Sequence, residues 1–100
     1  MRKITEDAVE AFNDDKPFKR SNTEVKTGLN TCLYLHDNLI AKKDNGLWIT
    51  NAGWQSNTTK ERLNGLDEVH IIQRKGIWFL KDKDDECNFT EWDGSWKKVD

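Results

Sequence analysis

This chain has little of what usually announces a metal centre or a disulfide frame: two cysteines and two histidines in 100 residues. Cys32 and Cys87 lie far apart, and no Cys-x-x-Cys or His-x-x-x-His spacing exists. Cys32 and His36 on one strand would sit about 13 Å apart, too far for one ion. The expectation is no metal, no cofactor and two free thiols, as suits a cytosolic chain. Also missing are a Gly-rich phosphate loop, a nucleophile elbow and a paired-carboxylate motif. No catalytic residues are therefore assigned and the chain reads as a non-enzyme; a small enzyme pairing Cys32 or Cys87 with His36 or His70 is the third reading, behind two binding roles.

Long apolar runs are absent too, which predicts no membrane span. The N-terminus turns acidic at once, at Glu6 and Asp7, unlike a signal peptide. Neither charge sign dominates: 16 basic residues face 18 acidic ones, a net charge of −2. That balance argues against strong sequence-independent DNA binding, which needs an excess of Lys and Arg.

What the chain has is rings. Hydrophobic residues make up 35%, but five are Trp and four are Phe. A buried aromatic removes roughly 150–250 Å² from water, so a few can hold a small core together. The length fits one domain, residues 1–100.

Near the start, Thr5 can cap a helix, Glu6 and Asp7 suit its positive end, and Ile4 can staple onto Val9. Ala8, Val9 and Phe12 then share one face. Pro17 disfavours helical geometry at Lys16 and ends this segment. From residue 22 the pattern becomes strand-like: Thr23 to Thr27, Thr31 to His36, Leu39 to Lys43, and Leu47 to Thr50. Leu33 and Leu35 point one way, and Cys32, Tyr34 and His36 the other. Asp37-Asn38 and Asp44-Asn45-Gly46 are the turns between them. Later, Val69 to Arg74 and Ile77 to Lys81 pair across the Lys75-Gly76 turn. Asp82 to Glu86 reads as a charged surface loop. Asp93-Gly94 turns a last small hairpin that brings Trp92 and Trp96 together. The fold class is α+β: an antiparallel sheet of about five to seven short strands with an N-terminal helix and a short central helix, packed mostly on one face.

The centre of the chain is Gly53-Trp54-Gln55-Ser56-Asn57-Thr58-Thr59-Lys60-Glu61-Arg62-Leu63-Asn64-Gly65. Thr58 and Glu61 have the spacing of a capping box, and Gly65 stands where a left-handed residue would stop a helix. The reading is a two-turn helix with Leu63 inward and Lys60 and Arg62 outward. Together with Leu33-Tyr34-Leu35-His36-Asp37-Asn38-Leu39-Ile40-Ala41 and Trp92-Asp93-Gly94-Ser95-Trp96, this block resembles a family of short proteins encoded by tailed bacteriophages and their prophages. The similarity covers nearly the whole chain, and Thr58 to Asn64 is its most specific part. The resemblance implies phage or prophage origin and action inside a bacterium, in the host cytoplasm. It brings no catalytic residues. The chain departs from the family between Lys81 and Asn88, where the link is longer and more acidic.

The function that follows is binding of a host or phage protein, with interference in a bacterial defence system such as CRISPR or restriction as one concrete version. The binding surface is expected at Trp54, Thr59, Lys60, Arg62 and Asn64, because exposed Trp beside Arg has the composition of an interface centre. The alternative partner is nucleic acid. It would be held by the hydroxyls, cations and amide of the helix at residues 58–64, with Trp48, Trp54 and Trp78 as stacking surfaces if exposed.

Overall fold

A computed structural model describes residues 2–100. Helix α1 (Lys3–Asn13) leads into strands β1 (Phe18–Arg20), β2 (Thr23–Lys26), β3 (Cys32–Leu35), β4 (Asn38–Lys43) and β5 (Leu47–Ile49). Helix α2 (Asn57–Leu63) follows, then β6 (Ile71–Arg74), β7 (Ile77–Asp82), β8 (Asp85–Glu91) and β9 (Lys97–Lys98). All pairings are antiparallel. The fold is α+β, and its strands divide into two sheets. One has the order β1-β2-β3-β4-β5-β9, the other β6-β7-β8.

Alternation decides which side of the larger sheet is the core. Val25, Leu33, Leu35, Leu47 and Ile49 are buried on one face, and Glu24, Cys32, Tyr34 and Trp48 are only half-buried on the other. A bulge between Leu33 and Tyr34 shifts the register with β4, and both Ile40 and Ala41 end up buried. Helix α1 lays Ala8 and Phe12 on the apolar face, with Val9 packed at the margin. The smaller sheet adds Ile71, Trp78 and Leu80 to the same core, and Trp92 packs on Trp78 with ring centroids 6.1 Å apart. Each fully buried aliphatic side chain contributes roughly 1.5–3 kcal/mol of gross burial.

Several local expectations are corrected. Helix α1 starts before Thr5, with Arg2 at its N-cap and no side-chain cap. Thr5 turns inward instead and is fully buried. The β3–β4 turn is centred one residue earlier, on His36 and Asp37, both at positive φ, so His36 leaves the strand alternation. Strand β1 was not anticipated. The charged run from Asp82 is not a loop: β7 continues through Asp82, β8 begins at Asp85, and only Lys83 and Asp84 lie between. Asp82 holds the hairpin by accepting from Asn88 and Thr90. Asp93-Gly94 does turn the chain, but its flanks do not pair. β8 belongs to the smaller sheet and β9 to the larger, so this turn carries the chain between sheets.

Helix α2 has the anticipated length but different ends. Ser56, not Thr58, is its N-cap, and the Ser56 hydroxyl accepts from the Thr59 N–H at 3.1 Å. Glu61 is drawn away to Thr5 and Arg62, so no capping box forms. Gly65 is not left-handed; it is glycine because α1 crosses closely. A Cβ there would stand 2.7 Å from Thr5 Cγ2 and 2.8 Å from Val9 Cγ2.

Candidate functional site

The chain leaves β5 through a loop fixed by four hydrogen bonds. The Thr50 hydroxyl donates to the Gly94 carbonyl at 2.6 Å, and the Asn51 N–H donates to the same oxygen at 2.9 Å. The Asn51 side-chain oxygen accepts from the Gly53 N–H at 2.8 Å, and the Asn51 carbonyl accepts from the Trp54 N–H at 2.9 Å. Between them Ala52 and Gly53 take φ of 56° and 85°. Glycine adopts this region freely, whereas an alanine there stores about 1–2 kcal/mol. The double left-handed step turns the loop outward and leaves Trp54 64% exposed.

Next to it, the Gln55 amide donates to the Gly76 carbonyl at the β6–β7 turn. Lys75 and Gly76 both have positive φ there, as a two-residue hairpin turn requires. Ile77 follows and is 42% exposed. A shallow groove of about 560 Å³ lies between the loop and this hairpin, lined by Gln55, Ile77, Glu91 and Asp93 with Trp78 and Trp92 among its walls. The Trp78 indole N–H is buried and has no hydrogen-bond partner among the described residues. Asp93 is held below the ordinary carboxylate range by the Ser95 N–H and hydroxyl, so it stays anionic at the groove rim.

The other anticipated contact residues are placed differently. Arg62 points inward and is 2% exposed. Its guanidinium donates to Thr23 Oγ1 at 3.0 Å and Thr5 Oγ1 at 2.8 Å, and pairs with Glu61. A guanidinium so enclosed joins α1, α2 and β2, and is out of reach of any partner. Thr59 is buried at the helix start, bonded to Ser56. Asn64 spends both ends of its amide on the Ile71 backbone, at 2.7 and 3.0 Å, tying α2 to β6. Lys60 is half-buried and donates to Gln73 Oε1 at 2.8 Å. Of the five residues, Trp54 alone is freely presented. Of the three tryptophans considered for stacking, Trp78 is buried, Trp48 half-buried and Trp54 exposed.

The residues missed by sequence reasoning are Asn51, Gln55, Ile77 and Gly94. Ile77 was legible, since strand alternation sets it opposite Trp78. The Asn51–Gly94 contact joins positions 43 apart and has no local signature. Among the described residues no group of three or more His, Cys, Asp or Glu is placed to hold a metal ion. Cys32 and Cys87 are free thiols. No hydrogen bond joins either cysteine to a histidine among the described residues: Cys32 Sγ faces the Asn30 carbonyl, and His70 packs edge-on against Phe89. Among the described residues no helix is long and apolar enough to cross a membrane.

The family model described as Kyanoviridae Gp96 protein matches residues 1–98. No curated protein matches the chain, and no solved structure does. With all but its last two residues covered, the chain belongs to the Kyanoviridae Gp96 protein family, a family of phage proteins.

Proposed function

We propose that this phage protein is a non-enzymatic accessory protein that works in the host cytoplasm by binding a host or phage protein through the Trp54 loop. The observation that carries the reading is a large ring held outside a loop that is itself rigid. Trp54 is 64% exposed, yet its own N–H and the residues before it are fixed to Asn51 and Gly94. A preset tryptophan loses little freedom on docking, which is what an interface anchor needs. Ile77 and the groove beside Gln55 extend the apolar area, and Glu91 and Asp93 supply a polar rim. Inhibition of a bacterial defence system such as CRISPR or restriction is one concrete version, drawn from phage membership and small size. The alternative, nucleic acid read by helix α2, loses its main cation to the interior with Arg62.

Affinity capture from infected-cell lysate tests this reading, with the tagged wild-type protein and Trp54→Ala run side by side, each with and without nuclease. The expected result is a protein retained by the wild type through nuclease treatment and lost with Trp54→Ala. Retention by both proteins, or loss on nuclease treatment, contradicts it.

A further inference from the structure

The outer surface of the six-stranded sheet carries a pattern that the Trp54 loop does not explain. The register places Lys26, Cys32, Lys42, Trp48 and Lys98 side by side on five successive strands. Strands lie about 4.8 Å apart, so this row runs roughly 19 Å across the sheet. Tyr34 stands two residues along from Cys32 on the same face, and Trp96 two residues before Lys98. The Lys26 ammonium sits 4.9 Å from the Tyr34 ring centroid, and the Lys42 ammonium 4.6 Å from that of Trp96. Trp96 is 41% exposed. The Trp48 indole N–H donates to the Asp44 carbonyl at 3.0 Å, which fixes that ring's orientation.

Charge on this face is uneven. Lys19, Lys26 and Lys42 stand in no ion pair among the described residues. Lys98 is matched by Asp100 at 3.3 Å, Glu24 faces Lys19 across β1 and β2, and Asp44 lies near enough to Cys32 to oppose Lys42 there. The chain's net charge of −2 therefore conceals a local cationic strip with three rings set in it. Both helices and the smaller sheet pack toward the other, apolar face.

We propose that this face binds single-stranded DNA laid across the strands, its bases stacking on Trp96, Trp48 and Tyr34 and its phosphates taken by Lys26 and Lys42. The chemistry is that of a stacking platform: every base offers a π-face, and flexible ammoniums between the rings meet the backbone. In the free protein those ammoniums rest on the ring faces. An arriving base takes the ring, and the lysine swings to the phosphate. A duplex hides its base faces and cannot use the rings. With the Lys26 and Lys42 ammoniums spent on phosphates, the group left between the rings to meet a ribose 2′-hydroxyl is the Cys32 thiol, a weak donor and weak acceptor; this favours DNA over RNA. The proposal concerns a surface other than the Trp54 loop and stands whether or not that loop has a protein partner.

Fluorescence anisotropy with a labelled oligothymidylate of about 15 nucleotides tests it. Binding should fall about 7-fold between 50 and 200 mM salt, the slope that two phosphate contacts give on a single strand. Binding should also quench tryptophan fluorescence. Trp96→Ala should weaken binding about 5- to 100-fold. Lys26→Ala with Lys42→Ala should weaken it and flatten the salt slope, which keeps the test alive if the Trp96 variant folds poorly. Lys3→Ala with Lys16→Ala, remote on α1 and the segment after it, should leave affinity within about twofold. The proposal is overturned by any of four results: no binding at 50 mM salt, equal affinity for a duplex of the same length, tighter binding of an oligouridylate, or equal losses from the two lysine pairs.

Discussion

Asn51 and Gly94 fit together so closely that any side chain at position 94 would run into the Asn51 amide. The Asn51 N–H donates to the Gly94 carbonyl at 2.9 Å, and the Asn51 amide lies where a Gly94 Cβ would be. Gly94 also has φ of 90°, which strains any other residue. Gly94→Ala should therefore lower stability by about 2 kcal/mol or more, summing the backbone and overlap costs. Urea unfolding followed by far-ultraviolet circular dichroism measures the loss. A variant as stable as the wild type would mean that the loop does not rest on this turn.

Arg62 and Lys60, two positions apart on α2, should separate clearly. Arg62→Met takes the guanidinium away from the Thr5 and Thr23 hydroxyls and from the Glu61 carboxylate, which keeps the Thr5 hydroxyl as a donor. Because Glu61 keeps partial contact with water, the loss should be about 2–4 kcal/mol, below that of a wholly enclosed pair. Lys60→Met removes a half-exposed hydrogen bond to Gln73 and should stay within about 0.5 kcal/mol. Paired denaturant titrations decide it. Equal effects would show that Arg62 is not the joint between the two helices and the sheet.

Acid should destabilise the protein through a small set of aspartates. Asp7 is held below the ordinary value of 3.8 by Arg20 and Lys3, Asp15 by the Thr31 hydroxyl and Lys43, Asp93 by Ser95, and Asp100 by the Leu47 N–H. Each binds its proton more weakly in the folded chain than in the unfolded one, so protonation favours unfolding. Their contribution is complete above about pH 5 and is lost as pH falls through 3.8 and below. Unfolding midpoints measured from pH 7 to pH 2 should hold level and then drop. For Asp100→Asn, which keeps an acceptor for Leu47 but cannot ionise, the acid drop should be smaller. An unchanged drop would remove Asp100 from the account.

The two thiols should react in order. Cys87 is exposed, whereas Cys32 is half-buried in the sheet and burial pushes its thiol pKa up. Thiolate is the reacting species, so alkylation near neutral pH should label Cys87 first and Cys32 several-fold more slowly. Mass spectrometry of a time course reads this directly. Faster labelling at Cys32 would mean that the outer face of the sheet around β3 opens in solution.

The strand pattern was legible wherever alternation met turn chemistry. Leu33 and Leu35, Asn45-Gly46 and Lys75-Gly76 carry their structure in adjacent letters, and the α+β class followed from them. Helix α2 was legible in its length and in the inward Leu63, but not in the placing of Arg62. Lys60 and Arg62 look alike by composition, and only the approach of Thr5 and Thr23, some 57 and 39 positions away, turns the arginine inward. A charge-rich run such as Asp82 to Glu86 reads as a loop because strand propensity is low there. The hairpin of β7 with β8, closed by the Asp82–Asp85 pair across Lys83-Asp84, overrides that preference. Trp54 was recognisable as a candidate because it precedes a helix cap, but the platform beneath it depends on Asn51 meeting Gly94. The lysine–ring strip on the larger sheet exists only once the register is known.

The central claim is that Trp54, preset by its loop, anchors a protein partner. It is tested most directly by titrating the captured partner into wild-type protein and Trp54→Ala by calorimetry, after matched unfolding midpoints confirm that both are folded. The account predicts that the exposed ring can be removed with little change in stability but with a loss in affinity of about 30-fold or more, the size of an interface hot spot. A dissociation constant within about twofold of the wild type would contradict it and place the working surface elsewhere.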